Sequence, residues 1–169
     1  MTQNLIAGGL DTVRNMMSFI ALFLANNPGH RRQLVEDPAL IPAAVEEFLR
    51  YFAIPNMSRS ITRDADFHGV ALRKGDMMLL PLSLAGRDED ACTNAATVDF
   101  RREKNRHLAF GTGAHLCPGM YLARAELVIF LEEWLRRIPE FRLVAGTVPG
   151  TRGGNILAVK SLFIEWPVD

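Results

Sequence analysis

The sequence has little of what several specialised protein classes require. Its 169 residues include only two cysteines, the acidic and basic side chains balance at 19 each, and no internal repeat is present. Cys92 and Cys117 stand in unrelated contexts, which excludes a disulfide framework and favours a reducing, cytoplasmic location. Zero net charge argues against a general nucleic-acid binder, because such proteins carry a basic excess.

Long apolar runs are also missing. The most apolar run, residues 19–25, is too short to cross a bilayer, and the residues before it do not fit a secretory signal peptide. We therefore expect no membrane partner. What is present is 49% hydrophobic residues, which is enough in a chain of this length for one domain with a buried core.

Hydrophobic periodicity and turn residues predict an α+β fold that is mainly helical, with small sheets at the side. The predicted helices are 4–26, 28–36, 41–51, a short stretch from 82 to 86, and 120–138. The predicted strands are 58–61, 65–72, 76–80 and several within 141–166. In the last helix we expect Leu122, Leu127 and Leu131 to be buried and Arg124 to be exposed.

The strongest chemical signal is the segment Phe110-Gly111-Thr112-Gly113-Ala114-His115-Leu116-Cys117-Pro118-Gly119. It places a cysteine in a glycine-rich turn before a helix N-terminus, where the helix dipole favours an ionised thiol. The glycines allow unusual backbone angles and the close approach of a flat group. From the residues alone, a glycine-rich loop with a merely structural cysteine explains the segment equally well.

Other cysteine chemistries fit this segment less well. A zinc site needs about four ligands, and the sequence has no CxxC or HxxxH spacing. A catalytic thiol needs a base partner, and His115 lies only two residues from Cys117, which is poor geometry for a triad. A single axial thiolate to heme iron needs no second protein ligand.

Segment 110–119 resembles the heme-binding signature of cytochrome P450 monooxygenases, F-x-x-G-x-[HRK]-x-C-x-G, at each specified position. Two further segments resemble family motifs, in the family's order. Glu47-Phe48-Leu49-Arg50 resembles the E-x-x-R motif, and segment 99–102 resembles the stretch whose arginine, here Arg102, completes a buried ion pair with Glu47 and Arg50. That ion pair is structural in the family.

The third resemblance is in the first helix. Ala7-Gly8-Gly9-Leu10-Asp11-Thr12 is similar to the oxygen-binding groove of the family's I helix, A/G-G-x-[DE]-T. Without the other motifs, two glycines tolerated for helix packing would be the better interpretation. With them, the resemblance implies that Asp11 and Thr12 deliver protons to bound dioxygen.

The resemblance implies that residues 1–169 form the C-terminal, heme-binding portion of a single cytochrome P450 domain, from the I helix onward, without the N-terminal part. Segments 8–12, 67–70, 74–76 and 98–100 are most similar to the bacterial camphor hydroxylase group. The implied activity is a heme-thiolate monooxygenase that uses heme b, O2, a ferredoxin-type electron donor and a small apolar, terpenoid-like substrate. The alternative is a truncated heme-binding fragment without turnover.

The resemblance also assigns roles to single residues. Cys117 would ligate the iron. The positions implied to bind the cofactor are Arg59, Phe110, Gly111, His115, Cys117 and Gly119, with Arg59 and His115 at the heme propionates. The positions implied to face the substrate are Asn4, Ala7, Pro55 and Met57. Pro118 departs from the camphor enzyme and has no N–H to donate to sulfur, so we expect a lower reduction potential.

A basic cluster precedes the cysteine segment and has two interpretations. Its members are Arg101, Arg102, Lys104, Arg106 and His107. A solvated loop face is the usual explanation of such a run. The family resemblance adds a second, the docking of an acidic ferredoxin, with Arg102 excluded because it is committed to Glu47.

Overall fold

The computed structural model describes residues 2–168, with side chains described for residues 8–168. The helices of this part are α1 (Thr2–Asn26), α2 (Pro28–Glu36), α3 (Ile41–Phe52), α4 (Leu82–Ala85) and α5 (Met120–Arg137). The strands are β1 (Asn56–Ser60), β2 (Ala65–Phe67), β3 (Val70–Leu72), β4 (Met77–Pro81), β5 (Arg142–Leu143), β6 (Gly150–Arg152), β7 (Ala158–Ser161) and β8 (Ile164–Glu165). The predicted α+β class is confirmed.

The core lies where α1, α3 and α5 pack against one another. Each of these helices repeats apolar residues at a spacing of three or four, so one face of each is buried. The most deeply buried members are Ile20, Leu24, Val45, Phe48, Leu127 and Leu131. Burying each of these side chains contributes about 1.5–3 kcal/mol, so this packing holds the two long helices in place on either side of the loop that contains Cys117.

The strands form four antiparallel pairs beside the helices: β1 with β4, β2 with β3, β5 with β8, and β6 with β7. In the first pair, Met57 lies opposite Leu80 and Arg59 lies opposite Met78. The C-terminal tail returns to the start of β1, where Pro55 and Ile156 form an isolated antiparallel bridge. This return brings residues that are a hundred positions apart in sequence to one edge of the functional site.

One strand prediction was wrong. Residues 65–72 form a hairpin of β2 and β3, not a continuous strand. His68 and Gly69 both have positive φ angles, 50° and 81°, which is the backbone of a tight hairpin turn and which glycine adopts without strain. The Asp66 carboxylate accepts a hydrogen bond from the Gly69 N–H at 3.0 Å and fixes the turn.

Candidate functional site

A cavity of about 710 Å³ lies between α1, the segment 109–119 and α5. This volume falls in the range typical of small-molecule sites, about 300–1,000 Å³. Its lining is mostly apolar, and the polar side chains in it are Thr12, His115, Cys117 and Glu126. The sequence-predicted site residues that line it are Thr12, Pro55, Met57, Phe110, Gly111, His115, Cys117 and Gly119.

The segment around Cys117 is held by its own backbone. The Cys117 N–H donates to the Phe110 carbonyl oxygen at 2.9 Å, which closes the loop. Gly111 and Gly113 have φ angles of 71° and 65°, so the loop needs glycine at both positions. Gly119 differs from expectation, because its φ is an ordinary −89°. A Cβ there would lie 3.9 Å from the Cys117 Sγ, an ordinary van der Waals contact, so glycine at 119 leaves the space beside the thiol open without being required by a clash.

The opposite wall of the cavity is the glycine-containing part of α1. Gly8 and Gly9 both line the cavity, and a Cβ at either position would meet no atom within 4 Å. The Thr12 hydroxyl donates to the Gly8 carbonyl oxygen at 2.5 Å and is held at this wall. The helix therefore presents bare backbone at the two glycines and one hydroxyl, together with apolar side chains such as Val13 and Met16.

Asp11 does not join Thr12 at the cavity. Its carboxylate accepts a hydrogen bond from Arg14 Nη2 at 2.6 Å, and both side chains are largely exposed. Successive residues of a helix point about 100° apart, because the helix has 3.6 residues per turn. Asp11 thus lies on the solvent side of the turn that holds Thr12.

The other predicted residues on this side have mixed outcomes. Pro55 and Met57 line the cavity together with Ile156 of the tail. Arg59 is exposed on β1 and bonds the Ser58 carbonyl oxygen at 2.8 Å. Alternate residues of a strand share a face, so Arg59 is on the same face as Met57 but beyond the cavity lining. Asn4 and Ala7 lie outside the residues whose side chains are described.

Glu47 is the centre of a buried network with two arginines. It accepts hydrogen bonds from Arg50 at 2.7 and 2.8 Å and from Arg102 Nε at 3.2 Å. The Asp99 N–H and the Asn105 amide also donate to it, at 2.9 and 3.0 Å. Glu47 and Arg50 have no exposed side-chain area, so the network ties the segment 87–107 to α3.

A second network beside it was not predicted from the sequence. Glu46 accepts hydrogen bonds from Arg124 of α5 at 2.5 and 3.0 Å and pairs with His107 at 3.1 Å. Burial of the Glu46 carboxyl opposes its ionisation, but the hydrogen bonds from His107 and Arg124 and the charge of Arg124 lower its pKa to about 2. The expectation that Arg124 is simply exposed was therefore wrong.

Two cavity residues of α5 were also missed. Leu122 was expected in the core, yet 64% of it is exposed and it lines the cavity one turn before Glu126. The i, i+4 spacing of these two residues places both on one helix face. That face begins directly after the cysteine segment, and this proximity is the sequence signal that could have identified them.

The basic cluster divides in the structure. Arg101, Lys104 and Arg106 are exposed. His107 is not part of this surface, because only 5% of its side chain is exposed and its ring is turned toward Glu46. Arg102 is committed to Glu47 at 3.2 Å.

Within the described side chains, no three histidine, cysteine, aspartate or glutamate residues gather closely enough to hold a metal ion. Among the helices of residues 2–168, none combines the length and hydropathy needed to cross a membrane.

Comparison with known proteins gives concordant matches. The sequence profile of the family described as Cytochrome P450 matches residues 37–147. A probable cytochrome P450 127A1 of Sinorhizobium fredii is 43% identical over 163 residues, covering 95% of this chain and 39% of the relative. A steroid C26-monooxygenase of Mycobacterium tuberculosis is 42% identical over 142 residues, covering 83% of this chain and 38% of the relative.

Solved structures agree with these sequences. The crystal structure of cytochrome P450 CYP101C1 superposes with a TM-score of 0.93 at 41% identity, covering 99% of this chain and 43% of that one. The structure of CYP101J2 gives a TM-score of 0.90 at 38% identity, covering 98% and 42%. The chain therefore spans about two fifths of the length of the proteins it matches.

Proposed function

Because this chain belongs to the cytochrome P450 family, we propose that it carries the heme site of a monooxygenase that inserts one oxygen atom of O2 into a small apolar substrate. Residues 1–169 would be the C-terminal, heme-binding portion of a single P450 domain. The observation that carries the proposal is the position of Cys117 in the wall of a mostly apolar cavity that faces the bare backbone of Gly8 and Gly9.

Family membership implies heme b held by a cysteine thiolate, and the residues of the cavity fit this group. A flat, apolar ring needs close approach on both faces, and Gly8, Gly9 and Gly119 leave that space. One thiol is present in the lining, that of Cys117, which suits a single axial ligand. When bound, the heme supplies the redox chemistry that activates O2.

The side of the cavity that contains Cys117 would supply the thiolate ligand of the iron. Cys117 would ligate the iron through its thiolate, and its N–H is already used by the Phe110 carbonyl at 2.9 Å. Phe110 lines the cavity, and its ring is proposed to shield the thiol from water. His115 lies in the lining, and Arg59 lies past its edge, so both are proposed to meet the acidic side chains of the heme rim.

The α1 side of the cavity supplies a hydroxyl for proton transfer. We propose that Thr12 Oγ1 passes a proton toward the cavity after breaking its hydrogen bond to the Gly8 carbonyl. Asp11, which is paired with Arg14 at the solvent side, is proposed to exchange protons with water and to resupply this hydroxyl. The two roles are separate in space, because Thr12 lines the cavity and Asp11 is paired with Arg14 outside the lining.

The proposed substrate is small, apolar and terpenoid-like. Support comes from Pro55, Met57 and Ile156, which give one wall of the cavity an aliphatic surface, and from the similarity to enzymes such as the steroid C26-monooxygenase. Asn4 and Ala7 stay in the proposal as further substrate contacts. Binding would shift the heme absorption spectrum, so a screen of apolar ligands by difference spectroscopy tests this point.

The proposed electron donor is an acidic ferredoxin, in a cytoplasmic setting. Arg101, Lys104 and Arg106 are exposed next to the cysteine segment, and an acidic partner would be steered to them. The rate of heme reduction by a ferredoxin should then fall steeply as salt is raised. A rate independent of salt would leave these residues as a solvated loop face.

Substitution of Thr12 tests the monooxygenase proposal. The Thr12→Ala variant should consume O2 and release peroxide with little product, because the cavity has lost its hydroxyl. Val13→Ala is a suitable control, since Val13 also lines the cavity but has no hydroxyl proton to transfer. Unchanged coupling of O2 consumption to product in Thr12→Ala would contradict the role.

A second candidate function is heme binding without turnover. The chain spans 38–43% of the length of the relatives and structures reported above, so turnover by these residues alone is tested separately from heme binding. Heme uptake with thiolate ligation, but no product with any reductant, would support this candidate over the first.

A further inference from the structure

Glu46 and Glu47 are neighbours on α3 but serve different parts of the molecule. Glu47 faces inward to Arg50 and Arg102. Glu46 faces α5 and the segment before Cys117, and its two carboxylate oxygens both bond Arg124, at 2.5 Å from Nε and 3.0 Å from Nη2. This two-point contact fixes the plane of the guanidinium, which a single hydrogen bond would not do.

His107 is the third member of this Glu46 cluster (Glu46, His107 and Arg124). Its Nε2 lies 3.1 Å from Glu46 Oε2, and its Nδ1 accepts the Ala109 N–H at 3.3 Å. A neutral imidazole with its proton on Nε2 satisfies both contacts at once. The ring therefore joins α3 to the backbone one residue before Phe110.

The cluster is directed at the Phe110 ring. The Arg124 guanidinium carbon lies 4.6 Å from the centre of that ring, which is cation–π geometry, and the His107 ring lies 6.1 Å from it. Phe110 lines the cavity, and its carbonyl accepts the Cys117 N–H at 2.9 Å. A chain of contacts thus leads from α3, through α5, to the backbone of Cys117.

We propose that Glu46, His107 and Arg124 are positioning residues that hold Phe110, and through its carbonyl the Cys117 loop, in the geometry needed for ligation. The proposal rests on the proposed function, in which Cys117 binds heme. With Glu46 absent, Arg124 has no fixed partner and turns to solvent. The Phe110 ring then loses its cover, and the hydrogen bond between Phe110 and Cys117 opens more often.

The other ion pairs of α5 show what an ordinary surface pair looks like. Glu133 bonds Arg136 at 2.6 Å and Arg137 at 2.9 Å, all three are largely exposed, and all lie on one helix. The Glu46 cluster instead joins α3, α5 and the segment before Cys117, and one member, His107, is almost fully buried. Arg136→Gln is therefore a matched control, about 18 Å along α5 from Arg124 at 1.5 Å per residue.

The first test needs no heme. Amide hydrogen exchange in segment 110–119 of the 169-residue chain should be at least tenfold faster in Arg124→Gln and Glu46→Gln, and this acceleration should exceed that of core amides such as that of Leu24, which report only the change in global stability. Arg124→Lys should exchange nearly as fast as Arg124→Gln, because lysine keeps the charge but lacks the planar fork. Arg136→Gln should match wild type. If segment 110–119 exchanged at the wild-type rate in Arg124→Gln, the proposal would be overturned. If it exchanged at the wild-type rate in Arg124→Lys, the two-point contact would be unnecessary, and that part of the proposal would be wrong.

The second test separates this proposal from the proposed function. In the heme-loaded chain, Arg124→Gln should lose at least half of the thiolate-type band in the ferrous carbon monoxide spectrum. If wild type shows that band and Arg124→Gln shows it undiminished, the positioning role is wrong and the heme site stands. If wild type binds no heme, the proposed function of this chain fails, while the exchange experiment still decides the cluster.

Discussion

Glu47 shows what a single buried carboxylate does for this chain. It has no exposed side-chain area and forms salt bridges with both Arg50 and Arg102. We expect Glu47→Gln to lower the free energy of unfolding by about 3–5 kcal/mol, because the Arg50 charge would remain buried without its partner. Urea denaturation measures this directly.

The matched control for that substitution is Glu133→Gln. Glu133 also bonds two arginines, but on the exposed surface of α5, so its loss should change the free energy of unfolding far less than the loss of Glu47. Equal effects of the two substitutions would contradict the structural role given to Glu47.

Glu46 makes a pH-dependent contribution to stability. Burial raises the pKa of the Glu46 carboxyl, but the hydrogen bonds from His107 and Arg124 outweigh burial and lower the pKa from its ordinary 4.5 to about 2 in the folded chain. A lowered folded pKa stabilises the fold above the unfolded pKa, and the contribution is lost as the pH falls from about 4.5 toward 2. Since the carboxylate is a third exposed, we expect about 1–2 kcal/mol after solvent screening.

The measurement compares wild type with Glu46→Gln. The difference in their unfolding free energies should be largest at pH 6 and should shrink as the pH falls from about 5 to 3. Glu132→Gln serves as the control because Glu132 is an exposed residue of α5. If the difference in unfolding free energy between wild type and Glu46→Gln did not change with pH, the His107 and Arg124 contacts would not stabilise the Glu46 carboxylate.

At the scale of elements, the sequence was most informative where the pattern is local. Apolar spacing predicted α1, α2, α3 and α5, and their observed ends lie within two residues of the prediction. The turn at His68 and Gly69 was missed because a single glycine within an apolar stretch is a weak turn signal, and because the second turn residue, His68, rarely adopts its positive φ of 50°.

Within the site, too, the residues that could be predicted are those that lie close together in sequence. The glycines and the cysteine of segment 110–119 were evident from spacing, because they are adjacent in sequence. The Glu46 cluster was missed because its members come from three distant segments, and only packing brings Glu46 to Arg124, 78 residues later. Leu122 was assigned to the core because a helical apolar pattern does not distinguish a core face from a cavity face.

The approach of α4 to α3 depends on a residue without a side chain. Arg50 Nη1 donates to the Gly86 carbonyl, and a Cβ at Gly86 would collide with the Arg50 carbonyl oxygen. Gly86→Ala should therefore destabilise the fold by about 1–3 kcal/mol. Gly29→Ala, in open space on α2, should instead be neutral or stabilising by up to about 1 kcal/mol. A neutral Gly86→Ala in urea denaturation would contradict this close approach.

At the scale of the whole molecule, the chain carries large apolar side chains on its outside. Leu10, Leu84, Leu122 and Ile129 are each more than half exposed, and exposed apolar surface promotes association. We expect the purified chain to self-associate, with a mean mass in sedimentation velocity that rises with concentration.

Ile129→Asn tests the source of that association, because Ile129 is exposed on α5 and is not part of the cavity lining. The variant should associate more weakly than wild type. A chain that stays monomeric at all concentrations would show that these side chains do not drive association.

Heme ligation by Cys117 is measured by the ferrous carbon monoxide difference spectrum of the heme-loaded chain. We expect the long-wavelength Soret band of thiolate ligation in wild type and in Cys92→Ser, since Cys92 lies beside Arg102, outside the cavity. The band should be absent in Cys117→Ser. The same band in Cys117→Ser, or no band in wild type, would contradict heme ligation by Cys117.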